Sequence, residues 1–239
     1  MILARLSKAV REQNWFAVTI EFVIVILGVV IGFQISAWNE TRQERALTRV
    51  TLERLQDDFT DIVAEIEDDV ASIARTIEVM TTMREALQSG QLSEEDRVAF
   101  DIALQRAYTH REPANRSSTF VEIESNGRMA LIGNERLRRA LRRYDENVSA
   151  ARETFLHARL IQTEYMRPFT RQFDTDPGAE RQPGARYDFA AMAADAEFQD
   201  AAEQLAAMQH VYLAWHRDHL DRANAALSLL DAALAESAP

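Results

Sequence analysis

Apolar positions follow two different patterns in the first third of the chain. A run of 22 residues from Phe16 to Ala37 is almost continuously apolar. From Leu52 to Leu87, apolar residues instead recur at steps of three or four, which average about 3.5 residues, the heptad period. The first pattern predicts a helix that crosses a membrane. The second predicts a long helix that buries one face.

The apolar run meets the requirements for a membrane span. A spanning helix needs about 20 apolar residues. The Ile, Val, Leu and Phe residues of the run contribute about −4 to −8 kcal/mol to insertion, and a central acid costs only about +2.5 to +3.5 kcal/mol. Trp15 and Trp38 flank the run as membrane-interface anchors. We therefore predict a transmembrane helix over residues 15–38. The alternative is a cleaved signal peptide that ends at the Ile-Ser-Ala sequence of residues 35–37.

One face of the predicted span combines small residues with its only ionisable side chain. On a helical wheel, all members of this face lie within about 60° of the position of Glu21. They are Glu21, Val25, Gly28, Gly32 and Ser36. Small residues let a second helix approach closely, and a carboxylate in the membrane needs a hydrogen-bond donor. The face predicts an interface with another membrane protein or with a second copy. In the alternative, Glu21 reaches the aqueous boundary and the glycines are incidental.

The heptad-patterned segment predicts a stalk helix over about residues 39–89, because no helix breaker occurs before the Ser89-Gly90 pair. Such a helix either pairs with copies of itself or folds against later helices of its own chain. The varied apolar residues on its buried face favour the second arrangement. Further helices are expected from a capping box at Ser93 towards Pro113, from Asn134 onwards, and over about 196–236.

The breaks between these helices complete the predicted fold. A turn is expected at Asn126-Gly127 and a loop at about residues 174–188, where glycine and proline cluster. The chain is therefore predicted to be all-α. Residues 39–236 should form an antiparallel helical bundle in which the stalk packs with two or three long helices. An amphipathic N-terminal arm, residues 1–14, should precede the span.

Charge narrows the possible partners and suggests an orientation. The net charge is −11, and because residues 1–38 sum to +1, the rest of the chain carries −12. So acidic a domain is unsuited to binding nucleic acid, because such binding neutralises phosphates with Lys and Arg.

The basic residues of the N-terminal arm favour a cytoplasmic N-terminus and a periplasmic helical domain. An arginine cluster between Arg136 and Arg143 is either a docking patch or a partner for the acidic stalk helix.

Few residues suggest chemistry. His216 and His219 are separated by one helical turn, with Asp218 between them, and such a group can share a metal ion. However, the Glu-x-x-His and His-Glu-x-x-His patterns are absent, and histidines on an alanine-rich surface helix are expected to be solvated. Nucleophile elbows and phosphate loops are absent too. We therefore expect no cofactor and no catalysis, and a histidine-metal enzyme is the least favoured hypothesis. The aromatic residues between Phe155 and Phe173 are expected in the core.

Two segments share a pattern with known proteins. The span ends in Gln-x-x-x-Trp-Asn, and residues 119–145 contain Ser-x-Gly-x-x-x-Leu-Ile-x-Asn-x-x-Leu-Arg. The matching residues are Glu21, Gly28, Gly32, Gln34, Trp38, Asn39, Ser125, Gly127, Leu131, Ile132, Asn134, Leu137 and Arg138. This pattern resembles bacterial single-span inner-membrane proteins that are classed only as a domain of unknown function. The resemblance implies a short N-terminal arm, one span and a helical domain, and it implies no activity.

The sequence thus predicts a non-catalytic accessory or scaffold protein in the bacterial inner membrane. Its expected partners are the lipid bilayer and either another membrane protein or a second copy, bound through the transmembrane face and the helical domain. The alternative is a periplasmic sensor or ligand-binding helical module that acts through a partner.

Overall fold

The computed structural model describes residues 15–112, 116–175 and 185–236, and the side chains of residues 19–112, 116–174 and 186–236. Within these residues the protein is all-α, as predicted, apart from one short two-stranded ribbon. The elements are α1 (Trp15–Ser89), α2 (Arg97–Arg106), α3 (Ser118–Ser125), a 3-10 turn (Met129–Leu131), α4 (Glu135–Thr170), β1 (Phe173–Thr175), β2 (Ala185–Tyr187), α5 (Phe189–Ala194) and α6 (Ala196–Glu236). The predicted amphipathic arm, residues 1–14, lies outside the described residues.

The chain separates into two units, Met1–Val50 and Thr51–Pro239. In the first unit, α1 is long and apolar enough to cross a membrane. Every residue from Thr19 to Leu47 is exposed. The apolar part of α1 is therefore a candidate single membrane span.

In the second unit, the heptad face of α1 is buried within the chain itself. Eleven apolar residues recur on this face from Leu52 to Leu87. Nine of them are buried, and Val70 and Ile77 are partly buried. Phe59 illustrates the packing, because its ring contacts the ring of Tyr144 on α4 edge to face, with centroids 5.0 Å apart. The prediction that the stalk folds against later helices of its own chain is confirmed.

The buried apolar residues form three clusters, and two of these clusters show in which direction each long helix runs. The start of the buried part of α1, at Leu55, packs with Leu141 of α4 and Leu230 of α6. The end of α1, at Met83, packs with Phe169 and Phe198 of the same two helices. Helix α6 is therefore antiparallel to both α1 and α4, whereas α4 runs parallel to α1.

A segment that we call the connector makes this parallel arrangement possible. It comprises residues 107–112 and 116–117 and joins α2 to α3. Helix α2 belongs to the core cluster at the end of α1, and α3 belongs to the cluster near Leu55. The connector therefore returns the chain along the bundle before α4 begins.

The start of α4 and the turn after α3 lie where the sequence predicted them. Asn134 caps α4, because its Oδ1 accepts hydrogen bonds from the backbone N–H groups of Arg136 and Leu137 at 2.9 and 3.1 Å. The turn after α3 has Gly127 at a φ of +66°, a conformation that favours glycine. Both features agree with the sequence analysis.

Two local predictions differ from the structure. Helix α2 is shorter than expected, because Ser93 forms a turn with Asp96 and the helix ends at Arg106. The predicted loop at 174–188 contains part of an antiparallel ribbon, in which Phe173 pairs with Tyr187. Phe173 is buried and the Tyr187 hydroxyl donates to Asp101 at 2.7 Å, so the aromatic ends of the ribbon are fixed to the core. Residues 176–184 of that loop lie outside the described residues.

Candidate functional site

The predicted transmembrane interface is an open surface of α1. Glu21, Val25, Gly28, Gly32 and Ser36 all lie in this helix and are exposed. A methyl group added at either glycine would meet no neighbouring atom of the described chain within 4 Å. Within a single chain, this face is therefore free to receive another helix.

The C-terminal end of the apolar run has the character of a membrane boundary. The Trp38 side chain is exposed, and the Arg42 guanidinium lies over its ring at 5.8 Å from the centroid. Such a contact is a cation–π interaction, and tryptophan beside a basic residue is typical of the interfacial region. Trp15, the other predicted anchor, lies in α1, but its side chain is outside the described part.

Buried amides hold the first half of the connector. The side-chain amide of Gln162 on α4 donates to the Tyr108 carbonyl at 2.9 Å. The amide of Gln209 on α6 donates to the Thr109 carbonyl at 2.7 Å. Both glutamines are almost fully buried, and the Tyr212 hydroxyl donates to the Gln162 carbonyl oxygen at 3.3 Å. These contacts provide hydrogen-bond donors for the backbone carbonyls of Tyr108 and Thr109 and tie the connector to α4 and α6.

An aspartate on α1 holds the other end of the connector. One oxygen of Asp58 accepts hydrogen bonds from the hydroxyls of Ser117 and Ser118 and from the Thr119 backbone N–H, at 2.7, 3.2 and 2.9 Å. Ser117 in turn caps α3 by accepting from the Phe120 N–H. Partial burial raises the pKa of Asp58, but these donors outweigh it and hold the pKa below the usual 3.8.

A second carboxylate strengthens this end. Asp145 on α4 is buried and accepts two hydrogen bonds from the guanidinium of Arg116 in the connector. A planar guanidinium suits this two-point geometry, which fixes direction as well as charge. The connector is thus tied to both α1 and α4.

Between these two ends, a charged group holds the connector. Asp69 on α1 is 6% exposed, and one of its oxygens lies 3.3 Å from Nη1 of Arg111 in the connector. The other oxygen lies 3.8 Å from Nε2 of His216 on α6. Burial raises the pKa of Asp69, and the charges of His216 and Arg111 oppose that rise without cancelling it.

The expectation that the α6 histidines are solvated is wrong for two of them. His216 and His219 are 1% and 2% exposed, because the face of α6 that carries them packs inside the bundle. Asp218 points away from that interior and forms an ion pair with Arg222 at 2.9 Å. Among the residues that the structure describes, no three His, Cys, Asp or Glu side chains form a group able to hold a metal ion.

His219 lies beside a cleft of about 200 Å³ between α4 and α6. Its pKa is lowered, first by burial and then by the charge of His216, while Asp218 acts in the opposite direction. The Nδ1 atom of His219 is buried without a hydrogen-bond partner in the described chain, as is Oδ1 of Asn147. Asn147 lines the same cleft together with Trp215.

The predicted core aromatics and two arginines of the cluster have structural roles. Of the predicted core aromatics, Phe155, Phe169 and Phe173 are buried and Tyr165 packs at the edge of the core. In the arginine cluster, Arg138 and Arg139 form ion pairs with Glu135 of their own helix.

Comparison with protein families, curated proteins and solved structures finds no match to this chain. The resemblance to the bacterial single-span family therefore stays a prediction. For the residues that it describes, the structure defines the class of protein: an all-α fold with one candidate membrane span and a helical unit that begins at Thr51.

Proposed function

We propose that this protein is a non-catalytic, membrane-anchored accessory or scaffold protein. It associates with another membrane protein or with a second copy through the transmembrane face defined by Glu21, Val25, Gly28, Gly32 and Ser36. The observation that carries the proposal is that every residue of α1 from Thr19 to Leu47 is exposed. An apolar helix that buries none of this surface within its own chain requires another apolar environment, such as a bilayer.

Glu21 and the glycines support a helical partner in addition to lipid. A carboxylate at membrane depth is costly unless it finds a donor or reaches water. Gly28 and Gly32 lie on the same face, where a second backbone can approach closely. A partner helix with a hydroxyl, amide or basic side chain opposite Glu21 would supply the missing donor.

The Gly28→Ile/Gly32→Ile double variant tests the transmembrane interface. We expect the assembly to weaken at least about tenfold, because the branched side chains prevent close approach of the second helix. Native mass spectrometry of membranes solubilised in nanodiscs measures the fraction of the chain in complexes. A matched control is Val23→Leu/Val30→Leu, which enlarges side chains on the opposite face of α1 and should leave assembly unchanged.

The outcomes distinguish the two functional classes. Complexes that persist in the glycine double variant would remove the interface from the proposal. A wild-type chain that is always a single copy with a bound small molecule would contradict the scaffold function and favour the sensor or ligand-binding module. The Glu21→Gln and Glu21→Leu variants separate the roles of charge and hydrogen bonding, since only glutamine retains polar atoms at this position.

The proposed location is the bacterial inner membrane, with a cytoplasmic N-terminus and a periplasmic helical unit. It is supported by the basic N-terminal arm and by the resemblance of the span to single-span inner-membrane proteins. The chain has no native cysteine, so single cysteines can report its orientation without background.

Topology is tested with the variants Ser7→Cys and Glu95→Cys. In intact spheroplasts, a membrane-impermeant maleimide should label the Glu95→Cys variant, because Glu95 is exposed in the helical unit. The Ser7→Cys variant should react only after lysis. The opposite result would reverse the orientation, and labelling of both variants in intact spheroplasts would contradict a stable span.

A further inference from the structure

Three segments of the helical unit meet at one buried group of charges. Asp69 comes from α1, Arg111 from the connector and His216 from α6. Asp69 and His216 are 6% and 1% exposed, so water screens their charges poorly. Because removing charges from water is costly, the protonation of this group matters for the stability of the bundle.

The hydrogen bonds of His216 define which nitrogen faces the carboxylate. Nδ1 of His216 lies 2.8 Å from the Tyr212 carbonyl oxygen. A carbonyl oxygen only accepts, so Nδ1 carries a hydrogen and donates it. The other nitrogen, Nε2, is buried without a hydrogen-bond partner in the described chain and faces Asp69 at 3.8 Å.

This arrangement is unfavourable when the pair carries no proton. In the neutral ring with a hydrogen on Nδ1, the lone pair of Nε2 points towards a carboxylate oxygen, and two acceptors face each other. One proton removes the conflict, either on Nε2 as an imidazolium or on the carboxyl group as an acid. In both forms, the interaction between α1 and α6 becomes attractive.

We propose that Asp69 and His216 form a buried site that binds a single proton and thereby links α1 to α6. Arg111 attaches the connector to the same carboxylate. The site is independent of the transmembrane interface, and it makes the packing of the helical unit depend on pH.

The charges around the site come from each element packed against it. On α1, Glu65 and Asp68 favour protonation of Asp69, and Arg111 in the connector opposes it. On α6, His219 stands next to His216, with Asp218 and Arg222 beyond it. On α4, the Arg159 charge acts on the neighbouring Tyr212.

The signs of the pH effects follow from two pKa shifts. The pKa of Asp69 is raised from 3.8, so its contribution to stability is complete below 3.8 and is lost as the pH rises through the higher folded value. The pKa of His219 is lowered from 6.5, so its contribution is present above 6.5 and is lost as the pH falls through the lower folded value.

A double-mutant cycle measures the proposed coupling. The full chain in nanodiscs would be prepared as wild type, Asp69→Asn, His216→Gln and the double variant, and unfolded in urea from about pH 4 to about pH 9. We expect the Asp69–His216 coupling, expressed as a ratio of unfolding equilibrium constants, to fall about tenfold as the pair loses its proton. The control cycle of Glu67→Gln with His157→Gln, two exposed residues, should show no coupling at any pH. Coupling that is absent, or constant with pH, would overturn the proposal.

Nuclear magnetic resonance of the folded wild type provides a test that does not depend on the variants' stability. With labelled histidine and aspartate, the His216 ring nitrogens and the Asp69 carboxyl carbon should respond at one common midpoint, because they share one proton. Unrelated midpoints for the two residues would overturn the site. In the His216→Gln variant, the pKa of His219 should move upwards because a neighbouring charge has gone, and an unchanged value would contradict the model of a shared charge.

Discussion

Replacing Phe59 with alanine is expected to lower the free energy of unfolding by about 3–5 kcal/mol. Phe59 is 1% exposed and its ring packs edge to face against Tyr144, so truncation leaves a cavity and removes an aromatic pair. Urea unfolding of the full chain in nanodiscs measures the loss. The control Leu156→Ala, at a position 59% exposed on α4, should change stability by less than about 0.5 kcal/mol. A loss below about 1 kcal/mol at Phe59 would contradict the described packing of α1 on α4.

Replacing Asp58 with alanine is expected to lower the free energy of unfolding by about 2–3 kcal/mol. The change leaves the Thr119 N–H and two serine hydroxyls without their acceptor, and Ser117 and Thr119 are nearly fully buried. Hydrogen exchange should show faster opening of α3 before the rest of the bundle. The control Asp57→Ala removes an exposed acid one residue away and should have little effect.

The same contacts give Asp58 a pH dependence of defined sign. Its pKa is lowered in the folded protein, so its stabilising contribution is present above the usual value of 3.8 and is lost as the pH falls through the folded value. Asp58→Asn should flatten this part of the acid-unfolding curve. An unchanged acid limb in that variant would show that the carboxylate does not hold the connector.

Features that depend on local sequence were predictable. The heptad spacing of α1 indicates which residues face the core, because side chains three and four residues apart lie on one side of a helix. Asn134 and Gly127 mark a helix start and a turn through their own side chain or backbone freedom. Such signals are contained in short segments, so a single sequence suffices to read them.

The connector depends on residues far away in the sequence. Its carbonyls are satisfied by Gln162 and Gln209, which lie 54 and 100 residues after their partners Tyr108 and Thr109. The segment Ala-Tyr-Thr-His after Arg106 has helical character, yet α2 ends at Arg106 and the distant amides bind carbonyl groups of this segment. The parallel direction of α4 follows from the path of the connector, and no local pattern encodes it.

The burial of the α6 histidines also escaped prediction. Alanine-rich helices show little contrast between their faces, so spacing alone did not identify the side that carries His216 and His219. The sequence did contain one signal for their burial. His216 and His219 follow Tyr212 and precede Ala223 at helical spacing, and all four residues lie on the same buried face of α6. Packing of α6 against both α1 and α4 determines that face.

Helix α6 contributes residues to each of the three core clusters, including Leu230, Phe198 and Tyr212. A ribosome synthesises this helix after every other described element of the chain. While synthesis continues, the apolar stripe of α1 therefore has no complete partner and is exposed to other nascent chains. We expect the helical unit to become protease-resistant only after α6 has left the exit tunnel, so its biogenesis favours a holding chaperone or early delivery to the membrane.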